Sequence, residues 1–166
     1  MNGVVKVVLL LGSNIEPRKE YLDRAIGILQ EDIGTMTNVS RIYQSEPWGF
    51  EAKVRFLNMA LVFNTDKSAK EVLTICLKTE QRLGRERKIE SGYASRKVDV
   101  DVLYYGNEIV NQPELVIPHP RLHLRRFALI PLTDVVPDMV HPILKKNQNE
   151  LLDECKDKLG VELFKA

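Results

Sequence analysis

The order in which apolar periodicities follow one another constrains the fold of this chain most strongly. Segments typical of strands occur four times, and two segments with apolar residues three or four positions apart indicate amphipathic helices. In chain order the predicted elements are strand Val4 to Leu11, helix Pro17 to Ile33, strands Val39 to Gln44 and Phe56 to Thr65, helix Ser68 to Gly84, and strand Val98 to Tyr105. This order is typical of a ferredoxin-like βαββαβ sandwich. We therefore predict an α+β fold with both helices on one sheet face, followed by a C-terminal extension.

The C-terminal part of the chain departs from this pattern. A proline-punctuated stretch runs from Val116 to Pro142, and a helical pattern follows near Glu150 to Leu159. Because 166 residues suit one globular unit and no linker or repeat interrupts them, we expect a single domain over residues 1–166. The two cysteines, Cys76 and Cys155, match no metal-ligand spacing and are typical of thiols in a reducing compartment.

Charge and hydropathy limit the partners that we expect. The 24 basic and 23 acidic residues leave a formal net charge of +1, so no overall field attracts nucleic acid or an anionic membrane. The apolar run from Val4 to Leu11 contains a lysine and has about half the length of a membrane span. We therefore expect a cytoplasmic monomer that binds neither nucleic acid nor membrane, and any anion must be bound by a local cluster of charge.

Two carboxylates lie on the last predicted strand, in the run Lys97-Val-Asp-Val-Asp-Val-Leu103. The strand period puts Asp99 and Asp101 on one face, roughly 6.5–7 Å apart at the backbone, and the valines on the other. Neighbouring anions on an apolar strand need a cation, and hard oxygen ligands at this spacing suit one or two magnesium ions that also bind phosphate. The alternative is a solvent-facing strand whose carboxylates pair with nearby arginines.

A cluster of positive charge surrounds this strand in the sequence and consists of Arg82, Arg85, Arg87, Lys88, Arg96 and Lys97. Arginine forks grip phosphate oxygens, and phosphoryl transfer depends mostly on such positioning and charge neutralisation. The chain has no Walker motif, which excludes a P-loop kinase. The pattern favours a nucleotide phosphate site, although a solvated charged loop has the same composition.

A third group of residues suits a flat heterocycle. Trp48, Phe50 and Phe56 lie close together in the sequence, and Asn58 shares a strand face with Phe56. An amide offers both a donor and an acceptor, which matches the alternating edge of a pterin. The alternative is a core phenylalanine and a polar residue at a sheet edge. His119, in a Pro-His-Pro turn, could bond locally or reach a phosphate.

Taken together, these motifs resemble the hydroxymethyldihydropterin pyrophosphokinases of folate biosynthesis. The resemblance extends from about Leu9 to Pro142 and includes LLGSN, SEPWG, FLNMA, EQRLGRERK, SRKVDVDVLYYG and IPHPRLHLRRFALIPL, in the order of the family. It implies an enzyme that moves the diphosphate of ATP onto 6-hydroxymethyl-7,8-dihydropterin and releases AMP. Three positions depart from the family pattern: Leu77 replaces a polar residue, Lys97 replaces a threonine, and Tyr93 stands near the place of a tryptophan.

The resemblance also implies roles for individual residues around the phosphates. Asp99 and Asp101 would hold two Mg²⁺ ions, and Arg85 and Arg96 would engage the nucleotide and assist the transfer. Further ATP contacts would come from Glu80, Arg87, Lys88, Arg96, His119 and Arg125.

On the pterin side, the resemblance implies that Phe56 and Phe127 form two aromatic walls. Asn58 would read the edge of the pterin, helped by backbone groups near Ser45 and Trp48. Two other classes of function stay open from the residues alone: a non-catalytic binding module of the same fold, and another ATP-using enzyme with the same metal arrangement.

Overall fold

An antiparallel sheet forms the centre of the computed structural model, which describes residues 3–46, 54–84 and 97–165. The strands are β1 Val5–Ser13, β2 Thr35–Val39, β3 Tyr43–Ser45, β4 Phe56–Thr65, β5 Asp99–Tyr105, β6 Val110–Gln112, β7 Leu115–Ile117 and β8 Val161–Leu163. The helices are α1 Arg18–Asp32, α2 Ala69–Arg82, α3 Arg126–Val135 and α4 Gln148–Glu154, with a short 3₁₀ turn at Leu122–Leu124. The sheet order is β5-β1-β4-β3-β8, β2 also pairs with β4, and β6 and β7 form a separate hairpin.

The position of β1 between β4 and β5 explains why its sequence is apolar almost throughout. Its last seven residues are all buried, since neighbouring strands cover both edges and other elements cover both faces. The strand extends to Ser13, two residues beyond the predicted end at Leu11. Gly12 and Ser13 therefore belong to the sheet, and α1 begins only at Arg18.

Helices α1 and α2 cover one face of the sheet, as predicted. Leu22 and Leu29 of α1 and Val72 of α2 pack in one apolar cluster with Leu9 and Leu61 of the sheet. The predicted capping box opens α2: Ser68 Oγ accepts the Glu71 N–H at 3.1 Å, and a Glu71 carboxylate oxygen accepts the Ser68 N–H at 3.1 Å. The periodic apolar face and the capping box thus predicted both the packing and the start of this helix.

Helices α3 and α4 pack against the second apolar cluster, which lies on the other sheet face. Leu129 and Leu132 of α3 and Leu151 of α4 pack with Val8 and Val62 there. The prediction of helices on one face only was therefore incomplete. Helix α3 was missed because Pro131 lies inside it, where proline normally disfavours a helix.

The C-terminal segment also differs from its prediction. Helix α4 ends at Glu154, whereas the pattern predicted a helix to Leu159, and the short strand β8 follows and pairs with β3 at the sheet edge. The hairpin of β6 and β7 was not predicted either. Within the described ranges, no helix is both long enough and apolar enough to cross a membrane.

Candidate active site

Two groups of predicted site residues lie on the same sheet face, on either side of β1. Val100 and Val102 pack with α1 and α2, so the alternation of β5 directs Asp99 and Asp101 to the other face. In the register of the sheet, Gly12 of β1 pairs with Asp99 on one side and with Asn58 on the other. Strand spacing therefore separates the Asp99 and Asn58 backbones by roughly 10 Å, with a glycine between them.

A cleft of about 320 Å³ runs along the outer edge of β5. Both aspartates line it, together with Leu73, Leu77, Glu80, Pro113, Glu114, Leu115, Val116, His119 and Pro120. Its floor is thus acidic, and its sides are largely apolar. A ligand that has a flat apolar part and an anionic part neutralised by cations matches this lining.

Glu80 fixes the strand between the two aspartates. Its side chain is 2% exposed, and Oε2 accepts the backbone N–H of Val100 at 3.0 Å. Among the described strands β5 lies at the sheet edge, so this N–H has no strand partner there on its outer side, and a buried N–H without an acceptor would be costly. Glu80, predicted as an ATP contact, therefore also holds the backbone that carries Asp99 and Asp101.

Asn58 and Ser45 form a buried polar pair on the far side of Gly12. Asn58 Nδ2 donates to Ser45 Oγ at 2.6 Å, and both residues are 2% exposed. Phe56, two residues before Asn58, pairs with Ser45 in the sheet and lies on the same face of β4 as Asn58. The structure thus brings three predicted pterin contacts together.

Phe127 and Arg125 lie at the start of α3, on the layer that covers this face. The guanidinium of Arg125 lies 5.4 Å from the centre of the Phe127 ring, and Arg125 is buried. At this distance a cation–π contact orients both side chains. The start of helix α3 therefore contributes one aromatic ring and one positive charge on the sheet face that carries Asp99 and Asn58.

His119 lines the cleft as a neutral ring. The pKa of His119 is lowered to about 4, first by burial and then by the positive charge of Arg125, and the negative charge of Asp99 only partly opposes these effects. Its Nδ1 accepts the Arg121 N–H at 3.1 Å, so the proton of the neutral ring is on Nε2. His119 can therefore donate one hydrogen bond to an anion without adding a charge.

Comparison with known proteins identifies the family to which this site belongs. Residues 8–137 match the model of the 7,8-dihydro-6-hydroxymethylpterin-pyrophosphokinase family. The chain belongs to this family. The 2-amino-4-hydroxy-6-hydroxymethyldihydropteridine pyrophosphokinase of Porphyromonas gingivalis is 38% identical over 138 residues, which are 82% of this chain and 93% of that protein. The enzyme of the same name from Bacillus subtilis is 34% identical over 166 residues, covering 99% and 97% of the two chains.

Solved structures show the same fold in more distant members of the pyrophosphokinase family. The wild-type HPPK-DHPS of Plasmodium falciparum has a TM-score of 0.74 and 15% identity, over 93% of this chain and 45% of that one. An HPPK-DHPS in complex with substrates has a TM-score of 0.71 and 14% identity, over 91% and 43%. This chain thus spans less than half of these longer proteins. The predicted α+β class and family membership are both confirmed.

Five predicted residues of the pyrophosphokinase site lie outside the described ranges: Trp48, Arg85, Arg87, Lys88 and Arg96. The alternative in which Asp99 and Asp101 pair with nearby arginines also depends on Arg85, Arg87 and Arg96, which lie outside the described ranges. Conversely, Gly12 had no role in the sequence analysis beyond its appearance in the LLGSN motif, and its place between the two halves of the site was missed. That place depends on the register of β1 with two distant strands, which periodicity within one strand does not reveal.

The donor set of the aspartates fits magnesium better than a metal bound by protein alone. In the part of the chain that the structure describes, no group of three or more histidine, cysteine, aspartate or glutamate side chains is placed to hold a metal ion. Mg²⁺ is commonly bound by one or two carboxylates, with waters and substrate phosphates completing its coordination. Two carboxylates beside a cleft therefore suit a Mg²⁺ site that forms together with a nucleotide.

Proposed function

We propose that this protein transfers diphosphate from ATP to 6-hydroxymethyl-7,8-dihydropterin, giving AMP and the pterin diphosphate in folate biosynthesis. The row of Asp99, Gly12 and Asn58 across three strands carries the proposal. It puts the Asp99 carboxylate, on the phosphate side, and the Asn58 amide, on the heterocycle side, on one sheet face, and the residue between them in the sheet is a glycine. The names of the relatives from Porphyromonas gingivalis and Bacillus subtilis support the same activity.

The buried pair of Asn58 and Ser45 and the rings of Phe56 and Phe127 bind the pterin in this proposal. Asn58 Nδ2 is bound to Ser45, so the amide is held in one orientation from which it meets the donor and acceptor edge of a pterin. Phe56 and Phe127 provide the aromatic walls, and groups near Trp48 complete this edge. A heterocycle held this way points its hydroxymethyl group over Gly12 towards the aspartates.

ATP binds in the cleft along β5 under this proposal. The apolar side chains Leu73, Leu77 and Val116 contact the base, and the phosphates extend towards Asp99 and Asp101. His119 donates from Nε2, and Arg125 contributes positive charge beside it. Glu80 keeps the strand in place, and Arg85, Arg87, Lys88 and Arg96 supply further contacts to the phosphates.

The residues of this chain do most of their work by positioning. Asp99 and Asp101 hold two Mg²⁺ ions. When bound, Mg²⁺ neutralises the charge that develops on the transferred group. The charge of Arg125 and the neutral donor of His119 stabilise phosphate oxygens, and Arg85 and Arg96 assist the transfer. No covalent intermediate with the protein is needed, because this chemistry depends mainly on alignment and electrostatics.

Several broader properties belong to the same proposal. The strand order β5-β1-β4 with β2 and β3 beyond it supports a ferredoxin-like βαββαβ core, to which α3, α4 and β8 are added. We further propose one domain over residues 1–166 and a cytoplasmic monomer that binds neither nucleic acid nor membrane.

The test of the activity is the nucleotide that accumulates with ATP, Mg²⁺ and the pterin. The proposal predicts AMP, a simple kinase would release ADP, and a binding module would release neither. Asp99→Ala and Asp101→Ala should each lower turnover on the order of 10²-fold or more while the protein stays folded. Asp153→Asn, at an exposed carboxylate on α4, is the matched control and should keep full activity. Full activity in either site variant would contradict the metal assignment.

A further inference from the structure

The C-terminal segment, residues 155–164, contacts both elements that carry the pterin side of the site. We propose that it is a positioning element: Asp157 fixes the start of α3, and β8 fixes β3, so that the two walls of the pterin pocket keep their spacing. This inference rests on the proposed function, since it concerns the pterin pocket. It assigns a role to residues that lie far from the reacting groups.

The first contact is a helix cap supplied from a distant part of the chain. Among the described residues, α3 has no side-chain cap of its own, because the residue at its N-cap position is Arg125. Asp157 Oδ2 accepts the N–H of Arg126 at 3.0 Å, and Asp157 Oδ1 accepts the N–H of Leu159 at 3.0 Å. A carboxylate here satisfies a free N–H and interacts favourably with the helix dipole. Asp157 thereby holds the turn that carries Arg125 and Phe127.

The second contact is the pairing of β8 with β3. Ser45 pairs with Val161 in the sheet, and the Glu46 N–H donates to the Gly160 carbonyl at 3.2 Å. At its other end, the Phe164 N–H donates to the Ile42 carbonyl at 2.9 Å. Strand β3 has only three residues, and without β8 it would be an edge strand supported by β4 alone. Strand β8 therefore braces the residue that orients Asn58.

Side chains reinforce this second contact around Arg55. Its Nη1 lies 2.8 Å from Glu162 of β8, and its Nε lies 3.1 Å from Glu46 at the end of β3. Arg18 Nη1 donates to the Arg55 carbonyl and to the Gln44 side chain, both at 2.9 Å. Exposed ion pairs add little stability singly, so the importance of this network lies in fixing where β3 and β4 end. Phe56, an aromatic wall, follows Arg55 directly.

The two contacts involve different elements, α3 and β3, but both position the proposed pterin pocket. One end of a ten-residue segment holds α3 with Phe127, and the other holds β3 and β4 with Ser45, Asn58 and Phe56. A heterocycle stacked between two rings needs their spacing held to a fraction of an ångström. None of the described residues that line the nucleotide cleft belongs to this segment. Of the ATP contacts proposed above, Arg125 alone lies on the turn that Asp157 holds, so loosening the segment should weaken pterin binding much more than ATP binding.

The test compares Asp157→Ala and Glu162→Ala with the wild type by steady-state kinetics in both substrates. Loss of the cap should raise the pterin KM about tenfold, and the KM for ATP should stay within about twofold. Glu162→Ala should act in the same direction with a smaller effect, because its ion pair is exposed. Asp157→Asn retains an acceptor for the Arg126 N–H and should largely restore the pterin KM.

A further measurement and a control variant separate positioning from general destabilisation. Amide hydrogen exchange should quicken in residues 126–129 of Asp157→Ala without any substrate present. Glu154→Ala, which breaks the neighbouring Lys146–Glu154 ion pair, is the control and should change neither exchange in α3 nor either KM. If Asp157→Ala fails to fold, the pterin KM of Asp157→Asn,Glu162→Gln is measured against Asp157→Asn, and equal values would overturn the inference.

The outcomes distinguish this inference from the proposed function. A wild-type protein that releases no AMP in the presence of the pterin contradicts the proposed function and, with it, the pocket. An active wild type whose variants keep an unchanged pterin KM contradicts the positioning role alone. A parallel rise of the pterin and ATP KM in Asp157→Ala would also overturn it, because the segment would then act on the whole fold.

Discussion

Gly12 shows how a single residue can decide what occupies the centre of the site. A Cβ atom at this position would lie 3.3 Å from Asn58 Oδ1, which is a tight contact, and 3.7 Å from Phe56 Cδ1, which is an ordinary one, so the crowding falls on Asn58. Asn58 cannot easily turn away, because its Nδ2 is bound to Ser45 in a buried pair. The absent side chain therefore leaves free the space between Asn58 and Asp99.

We expect Gly12→Ala to weaken pterin binding while the fold is retained. The new methyl group should push the Asn58 amide by a few tenths of an ångström and fill the space beside the Phe56 ring, which should raise the pterin KM about tenfold. Steady-state kinetics with the pterin as the varied substrate measures this effect. Gly27→Ala is the matched control: among the described residues nothing lies within 4 Å of its added Cβ, and α1 should gain ~0.5–1 kcal/mol in stability. An unchanged pterin KM in Gly12→Ala would contradict the proposed location of the pterin.

At the scale of elements, sequence periodicity predicted those whose side chains are buried on a regular face. Strands β1, β4 and β5 and helices α1 and α2 were found in this way, and the alternation of β5 correctly separated Asp99 and Asp101 from the valines. Helix α3 could not be found, because Pro131 contradicts local propensity and tertiary packing overrides it. Strand β8 has three residues and depends on a distant edge.

Asp134 of helix α3 is hydrogen-bonded to Tyr43 of β3 and to Arg41, which precedes this strand. Its Oδ2 accepts the Tyr43 hydroxyl at 2.9 Å and the Arg41 backbone N–H at 3.1 Å, and Arg41 Nη2 lies 2.9 Å from Oδ1. Burial alone would raise the pKa of Asp134, but hydrogen bonds from Arg41 and Tyr43 lower it below its ordinary value of 3.8. The folded state therefore favours the ionised carboxylate.

We expect Asp134→Ala to lower the free energy of unfolding by about 1–3 kcal/mol at neutral pH, because charge-assisted hydrogen bonds between α3 and β3 are lost. Since the folded pKa is depressed, this stabilisation is present above the unfolded pKa and disappears as the pH falls through the folded value. Urea unfolding near neutral pH and in acid measures both effects. Asp23→Asn, which breaks an exposed pair on α1, should cost no more than about 0.5 kcal/mol. Equal losses in the two variants would contradict the argument.

At the scale of the whole molecule, the C-terminal part is joined to the sheet through a buried polar column. The ring of His141 meets Tyr104 of β5 edge-on at 5.8 Å and His123 at 6.3 Å. Gln148 Nε2 donates to the Tyr104 hydroxyl and to the Met139 carbonyl, both at 2.9 Å. His141 Nδ1 accepts the N–H groups of Ile143 and Leu144. These last two hydrogen bonds require a neutral His141, because a protonated Nδ1 cannot accept a hydrogen bond.

The neutral state of His141 should make the stability of the whole protein depend on pH. Burial, and to a smaller extent the nearby His123, lower the pKa of His141 to about 4, whereas the unfolded value is near 6.5. Between these two pKa values the unfolded chain binds more protons than the folded protein. The free energy of unfolding should therefore fall, by up to about 1.4 kcal/mol for each unit by which the pH is lowered, because of this residue. His119 shifts in the same direction and should add to the slope.

Urea unfolding of the wild type and of His141→Gln at several pH values between about 4.5 and 7 separates the two histidines. The variant loses packing against Tyr104 and should be less stable at neutral pH, but its stability should fall less steeply as the pH is lowered, by about one proton. Lys146→Gln, a change at a partly exposed cation of the same segment, controls for altered charge and should keep the slope of the wild type. If His141→Gln also keeps the slope of the wild type, the proton is taken up by another group. The neutral state of His141 then does not make the stability of the protein depend on pH.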